Sequence, residues 1–312
     1  MSCSTPKGGS TPSADAELAY GVELAPGYRV LSLLSRGDAF ETYDAWSEQR
    51  FSRCVVKTVR EDRPSRAHHA RLLREGTLVT TSDHPHLVRG YEVGTRPRPF
   101  VAMETLTGAT LGHLIDLRSK PLAVADVALL GSQLCSVLRF LHGRGVLHLD
   151  VKPDNVVIEG ARAKLLDLSL AHPPGVIEAA LGTPGYMAPE QAAGGQIGEP
   201  ADVWGLAVTL YQAATGFNPF RPPARRPSRS LPSLPSRPTL PSLPTLGSEA
   251  SSQVRAPAVA SRRRLPREVG TAIDTALDPE PTNRPTMLEL DAILNQAAGA
   301  ALPSFEAPAD PA

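Results

Sequence analysis

The stretch Leu147-His148-Leu149-Asp150-Val151-Lys152-Pro153-Asp154-Asn155-Val156 constrains this chain more than any other. It sets an acid, a cation and an amide between two apolar runs, Val146-Leu147 and Val156-Val157-Ile158. Apolar flanks of that length predict short buried strands with a tight polar loop between them. Such a loop can hold a proton acceptor, a phosphate contact and a metal ligand together. Taken alone, it can equally be an ordinary polar turn around Pro153. The rest of the chain decides between the two.

A length of 312 residues suits one large domain or two small ones, and an apolar content of 41% supports a real core. The net charge is zero, so no whole-chain field points to nucleic acid or a membrane. Basic residues are mostly arginine, with lysine only at Lys7, Lys57, Lys120, Lys152 and Lys164. A lysine at a motif position therefore carries more weight here. Cys3, Cys54 and Cys135 lack ligand-like spacing and fit a reducing compartment. No run approaches the ~20 apolar residues of a membrane span, and the first residues lack a signal peptide's pattern. These features predict a soluble cytoplasmic protein with no transmembrane segment and no nucleic-acid partner.

Residues 1–26, rich in Ser, Pro, Gly and Ala, predict a disordered tail. Strand-length apolar runs follow at 28–34, 40–46 and 53–59. Residues 65–81 carry helical spacing through Leu72, Glu75, Leu78 and Val79, and 87–94 and 99–104 read as further strands. After Gly108 the pattern becomes helical. Residues 123–143 put Val127, Leu130, Leu134, Val137, Leu138 and Leu141 on one face. Ala163–Leu168 reads as a strand, 200–215 as a helix buried on nearly all sides, and 266–277 and 286–297 as two final helices. The fold class is α+β, a small sheet with one helix followed by a mainly helical half. Residues 300–312 form a second tail.

Residues 221–264 differ, being rich in Pro and Arg with Glu249 as the only acid. From Leu231 they run in triplets such as Leu-Pro-Ser. In a polyproline II helix of ~3 residues per turn these would form leucine, proline and hydroxyl stripes. A low-complexity linker gives the same pattern.

Several polar residues stand out from apolar surroundings: Lys57 after Cys54-Val55-Val56, Glu75 in the following helix, Asp167 after Lys164-Leu165-Leu166, and Asp202 heading the buried helix. Each alone could be a surface charge. In this order, with Gly182-Thr183-Pro184-Gly185-Tyr186-Met187-Ala188-Pro189-Glu190, His84-Pro85-His86-Leu87-Val88, Asp202-Val203-Trp204 and Asn283-Arg284-Pro285, the chain resembles the protein kinase family. In particular it resembles the bacterial Ser/Thr kinases of eukaryotic type. The resemblance covers about Tyr28 to Ala297, apart from the proline-rich insert.

The resemblance implies a two-lobed kinase domain over 27–299, with an N-lobe of about 27–105 and a C-lobe of about 106–299. It also implies ATP and Mg²⁺ (or Mn²⁺) in the cleft and protein Ser/Thr substrates. By the same resemblance, Lys57 would hold the α- and β-phosphates and pair with Glu75. Asp150 would accept the substrate hydroxyl's proton, Lys152 would neutralise the γ-phosphate, and Asn155 and Asp167 would hold metal. Leu34, Gly37, Val55, Met103 as gatekeeper, and Glu104 to Leu106 as hinge would line the nucleotide. Glu190 and Arg284 would pair structurally, and Asp202 would brace the catalytic loop.

The departures are specific. In the loop Leu34-Ser35-Arg36-Gly37-Asp38-Ala39-Phe40, Ser35 and Phe40 replace two expected glycines, which predicts a stiffer phosphate cover. Val55 replaces the usual alanine. The family's His-Arg-Asp reads His148-Leu149-Asp150, losing the arginine that pairs with an activation-loop phosphate, and no obvious phosphosite lies between Asp167 and Glu190. Asp-Phe-Gly reads Asp167-Leu168-Ser169. The expectation is an active kinase not switched by loop phosphorylation. The rival is a pseudokinase that binds ATP and signals as a scaffold. The insert at 221–264 is a candidate docking or autophosphorylation segment.

Overall fold

The computed structural model describes residues 18–63, 65–118, 120–221 and 255–299. The predicted insert lies outside the described residues from 222 to 254, as do 1–17 and 300–312 of the predicted tails. The chain divides after Leu106 into two compact units.

The first unit is an antiparallel sheet with one helix. Its strands are β1 (Glu23–Ala25), β2 (Tyr28–Arg36), β3 (Phe40–Ser47), β4 (Ser52–Val59), β5 (Gly90–Gly94) and β6 (Phe100–Glu104), in the order β1-β2-β3-β4-β6-β5. Alternation along the strands separates two faces. Tyr28, Val30, Tyr43, Ala45, Cys54, Val56, Phe100 and Ala102 form an apolar core on one of them. Leu24 and Ala25 join that core through β1, inside the stretch whose composition predicts a tail. The other face carries Val55 and Lys57, opposite Met103 and Val101 of β6.

The helix α1 (Arg66–Thr81) packs on β5 and β6 through Leu72, Glu75, Gly76 and Val79. Gly76 permits the approach: a Cβ there would lie 2.6 Å from Val93 Cγ2 and 2.8 Å from Val101 Cγ2. The predicted strand 87–94 begins only at Gly90, because Leu87 N–H turns back to the His84 carbonyl at 3.1 Å.

The second unit is mainly helical: α2 (Leu111–Leu117), α3 (Val124–His142), α4 (Pro189–Ala193), α5 (Glu199–Thr215), α6 (Arg267–Ala276) and α7 (Met287–Gly299). Strands β7 (Ala109–Thr110), β8 (Val156–Glu159) and β9 (Arg162–Leu165) make a small sheet, and β10 (Gly175–Ile177) pairs with β11 (Gly195–Ile197). The helix α5 is buried along nearly all its length, as its apolar sequence predicts, and ends at Gly216 in a left-handed cap with φ +80. By length and apolarity α3 qualifies as a membrane span, contrary to the sequence reading that no run does. Half of its most apolar window is buried within the fold, where it packs on α5 and α7.

The predicted strand Ala163–Leu168 stops at Leu165, because Asp167 takes a left-handed conformation with φ +60 and starts a 3₁₀ turn. Val146-Leu147 forms only a single bridge, Leu147 to His172.

Gly76→Ala should be destabilising. Overpacking against Val93 and Val101 costs more than the ~1 kcal/mol gained in helix propensity. Gly37→Ala should be neutral, since a Cβ there meets only the Phe40 carbonyl at 3.6 Å. Thermal denaturation of the two variants checks the contrast.

Candidate active site

Within the first unit, Lys57 and Glu75 form a bidentate ion pair. The Lys57 ammonium donates to both Glu75 carboxylate oxygens at 2.9 Å, with side-chain exposures of 9% and 1%. Strand pairing sets Lys57 on the helix-facing side, and the buried stripe of α1 delivers Glu75. A pair this dry is costly to desolvate, so it holds geometry more than it adds stability. The Phe40 ring lies 5.0 Å from the Lys57 ammonium, so the residue that displaces a glycine contacts the lysine.

The β2–β3 turn is tied down at several points. Gly37 N–H donates to the Phe40 carbonyl at 2.9 Å, and Arg60 N–H donates to the Ala39 carbonyl at 3.0 Å. The Arg60 guanidinium donates to the Gly37 carbonyl at 3.0 Å while pairing with Asp62. Arg60 has no distinguishing sequence signal. Leu34 is exposed on β2, Val55 faces Met103 across β4 and β6, and Met103 is buried. Glu104 accepts from Arg89 N–H at 2.8 Å, and Leu106 ends the unit.

Within the second unit, Asp150 is the hub. Thr183 Oγ1 donates to its Oδ1 at 2.5 Å, Lys152 Nζ to its Oδ2 at 2.7 Å, and Asn155 Nδ2 to its Oδ2 at 3.0 Å. Lys152 Nζ also donates to Thr183 Oγ1 at 2.6 Å. The second N–H of the Asn155 amide goes to the Asp150 carbonyl at 2.9 Å. Both Asn155 donors are thus spent on Asp150, leaving its oxygen as the group suited to a cation. Leu166 N–H donates to the Asn155 carbonyl at 2.8 Å, tying the approach to Asp167 to this loop. Asp167 caps the turn after it, accepting from Ser169 N–H at 3.1 Å. Among the described residues no cluster of three or more His, Cys, Asp or Glu forms a metal cage. A carboxylate and an amide oxygen, with water and phosphate completing the shell, match how Mg²⁺ is usually held.

The loop's shape comes from Asp202 at the start of α5. Its carboxylate, 1% exposed, accepts His148 N–H at 2.8 Å, Leu149 N–H at 2.7 Å and His142 Nε2 at 2.8 Å. Asp150 N–H donates to His148 Nδ1 at 3.2 Å, so the proton of that ring sits on Nε2, which donates to the Leu166 carbonyl at 2.9 Å. Gly205 of α5 lets the loop lie close: a Cβ there would be 3.2 Å from Val151 Cβ. Arg284 meets Glu190 at 2.6 and 2.8 Å and gives its other N–H groups to the Asp278, Pro279 and Pro200 carbonyls. Sequence reasoning missed His142, which reads as a helix-end residue, and Gln191, which reads as one more polar side chain in α4.

The family model described as a protein kinase domain matches residues 28–295. The chain belongs to the protein kinase family. It is 33% identical over 227 residues to the serine/threonine-protein kinase pkn3 of Myxococcus xanthus, covering 67% of this chain and 41% of that protein. It is 32% identical over 216 residues to the DNA damage-responsive serine/threonine-protein kinase RqkA of Deinococcus radiodurans, covering 65% and 32%. It is 31% identical over 216 residues to the serine/threonine-protein kinase PknD of Mycobacterium tuberculosis, covering 67% and 32%. The resemblance to bacterial Ser/Thr kinases of eukaryotic type therefore holds, as does the α+β kinase fold class. The matched stretch spans about a third to two fifths of these relatives' length. The family uses ATP and a divalent metal and acts on proteins.

Burial opposes the charged form of Asp202, but its donors, His142 first, outweigh burial and hold the carboxyl below the ordinary carboxylate range. A depressed folded-state value means stability that is present above the unfolded value and lost as pH falls through the folded one. Acid titration of the wild type should show this loss below about pH 4. Asp202→Asn should cost about 3 kcal/mol at neutral pH and flatten that limb, as denaturant unfolding at stepped pH would measure.

Proposed function

We propose that this chain is a Ser/Thr protein kinase that transfers the γ-phosphate of ATP to protein hydroxyls, and that phosphorylation of its own activation segment does not control it. The observation that carries the reading is the Asp150 cluster: a carboxylate held by Lys152, Asn155 and Thr183 at hydrogen-bond distance. A substrate hydroxyl at that carboxylate would give up its proton to Asp150. Lys152 would move one N–H to the transferring phosphate, and Lys57, aligned by Glu75, would hold the inner phosphates. Asn155 and Asp167 would hold Mg²⁺ (or Mn²⁺), which supplies charge neutralisation when bound. Leu34, Gly37, Val55, Met103, Glu104 and Leu106 would line the nucleotide.

The unswitched reading rests on Leu149, which is buried and uncharged and offers a phosphate nothing to pair with. The predicted cytoplasmic location and the 27–299 kinase domain with its insert at 221–264 belong to the same proposal, as does a docking partner for that insert.

The test is Mg²⁺-dependent transfer of labelled phosphate to the protein itself or to a generic basic protein. Wild type should transfer, whereas Asp150→Asn and Lys57→Met should each lose at least about a hundredfold in rate. Prior phosphatase treatment should leave the wild-type rate unchanged. Equal signal from all three proteins overturns the enzyme reading. An ATP-induced thermal shift without transfer replaces it with the scaffolding pseudokinase.

A further inference from the structure

Gln191 lies in the first turn of α4 and is 1% exposed, yet it has no part in the chemistry proposed above. Its amide nitrogen donates to the Leu149 carbonyl at 2.7 Å and to the Leu181 carbonyl, and its oxygen accepts Ala188 N–H at 3.4 Å. Two carbonyls on one side and an N–H on the other fix the amide's orientation, since only the NH₂ end can face two acceptors. The amide therefore links three stretches: the catalytic loop, the segment before Thr183 and the start of α4.

Leu149 is the residue this amide constrains. It adopts φ +62, where a leucine is strained by about 1 kcal/mol or more. Its N–H is held by Asp202 Oδ1 at 2.7 Å and its carbonyl by Gln191 at 2.7 Å, so side chains from two helices clamp both polar groups of one strained residue. The next residue is Asp150. The segment 181–183 thus meets the loop twice, through Gln191 at Leu181 and through Thr183 at Asp150. Gly182 sits between these contacts at φ +144. A Cβ there would lie 2.6 Å from Gln191 Nε2, 2.6 Å from Met187 Cγ and 3.1 Å from the Leu149 carbonyl. Only glycine leaves room for the amide.

We propose that Gln191 is a positioning residue: its neutral amide registers the 181–188 segment against the Leu149 peptide and so aims Asp150 without any phosphorylated or charged partner. This deepens the unswitched-kinase reading and rests on it for its consequence in catalysis. The contact uses no group that modification would create or remove. It supplies between two backbone carbonyls the attachment that Leu149 cannot supply through its side chain.

Gln191→Glu keeps the size, but in its ionised form it has no proton to donate while facing two carbonyls. Burial and those carbonyls favour its protonated form, whose O–H can restore one bond. In peptide phosphorylation at about pH 8, Gln191→Glu should lose roughly tenfold in kcat with peptide KM within about twofold. The deficit should narrow toward about pH 6. Gln191→Met, similar in volume, should show the same loss at both pH values. Either variant keeping wild-type kcat at the higher pH, or parallel pH profiles for Glu and Met, overturns the proposal. Hydrogen exchange distinguishes this failure from failure of the kinase reading, because it needs no activity. Both variants should speed amide exchange across 181–188 with or without turnover, and unchanged exchange sinks the positioning role even in an active enzyme.

Discussion

The catalytic loop depends on one buried carboxylate. Asp202 is satisfied by two backbone N–H groups and an imidazole. Position explains why the charge is tolerable there. Asp202 lies in the first turn of α5, where the helix dipole favours an anion, and charge-assisted hydrogen bonds are about twice as strong as neutral ones. The backbone of His148 and Leu149 cannot leave that carboxylate without stranding it in the core. A strained left-handed leucine can therefore persist next to Asp150.

The two strong ion pairs serve different ends. Arg284 spends all five N–H groups on Glu190 and three carbonyls, fastening the start of α4 to the turn around Asp278 and to the first turn of α5 at Pro200. Nothing in that arrangement remains for a ligand. Lys57 meets Glu75 through a symmetric contact to both oxygens, and a lysine's rotatable ammonium can keep that contact while turning another N–H elsewhere. The arginine pair closes a structure, whereas the lysine pair holds a charge where it can be used.

Most of the fold was legible because it follows from periodicity. The strands at 40–47 and 52–59 and the helices at 66–81, 124–142 and 199–215 lie within a residue or two of where spacing puts them. The failures share a cause. Ala163–Leu168 is apolar enough to continue as a strand, but Asp167 turns left-handed, and backbone dihedrals imposed by tertiary contacts leave no trace in hydropathy. The same limit hid the supporting residues. Asp150, Lys152, Asn155 and Asp167 stand out as polar groups in apolar company. Gln191 and Arg60 stand among other polar residues and act only through backbone atoms that folding brings to them.

The β2–β3 turn follows the same logic as the loop that carries Asp150. Glycine in such a loop lets the backbone approach a ligand but leaves conformational freedom to be lost. Here Ser35 and Phe40 remove two glycines, and Arg60 fastens the turn through the Gly37 and Ala39 carbonyls. The Phe40 ring settles by Lys57. In the second unit Leu149 carries no charge, and Asp202 and Gln191 hold its N–H and its carbonyl. In both places a residue type associated with movement or switching is missing, and a buried or half-buried side chain ties down the main chain at the same point. The positions that look eroded in the sequence are positions where side chains fasten the main chain. Holding both polar groups of a strained residue keeps one backbone arrangement without help from a side-chain charge.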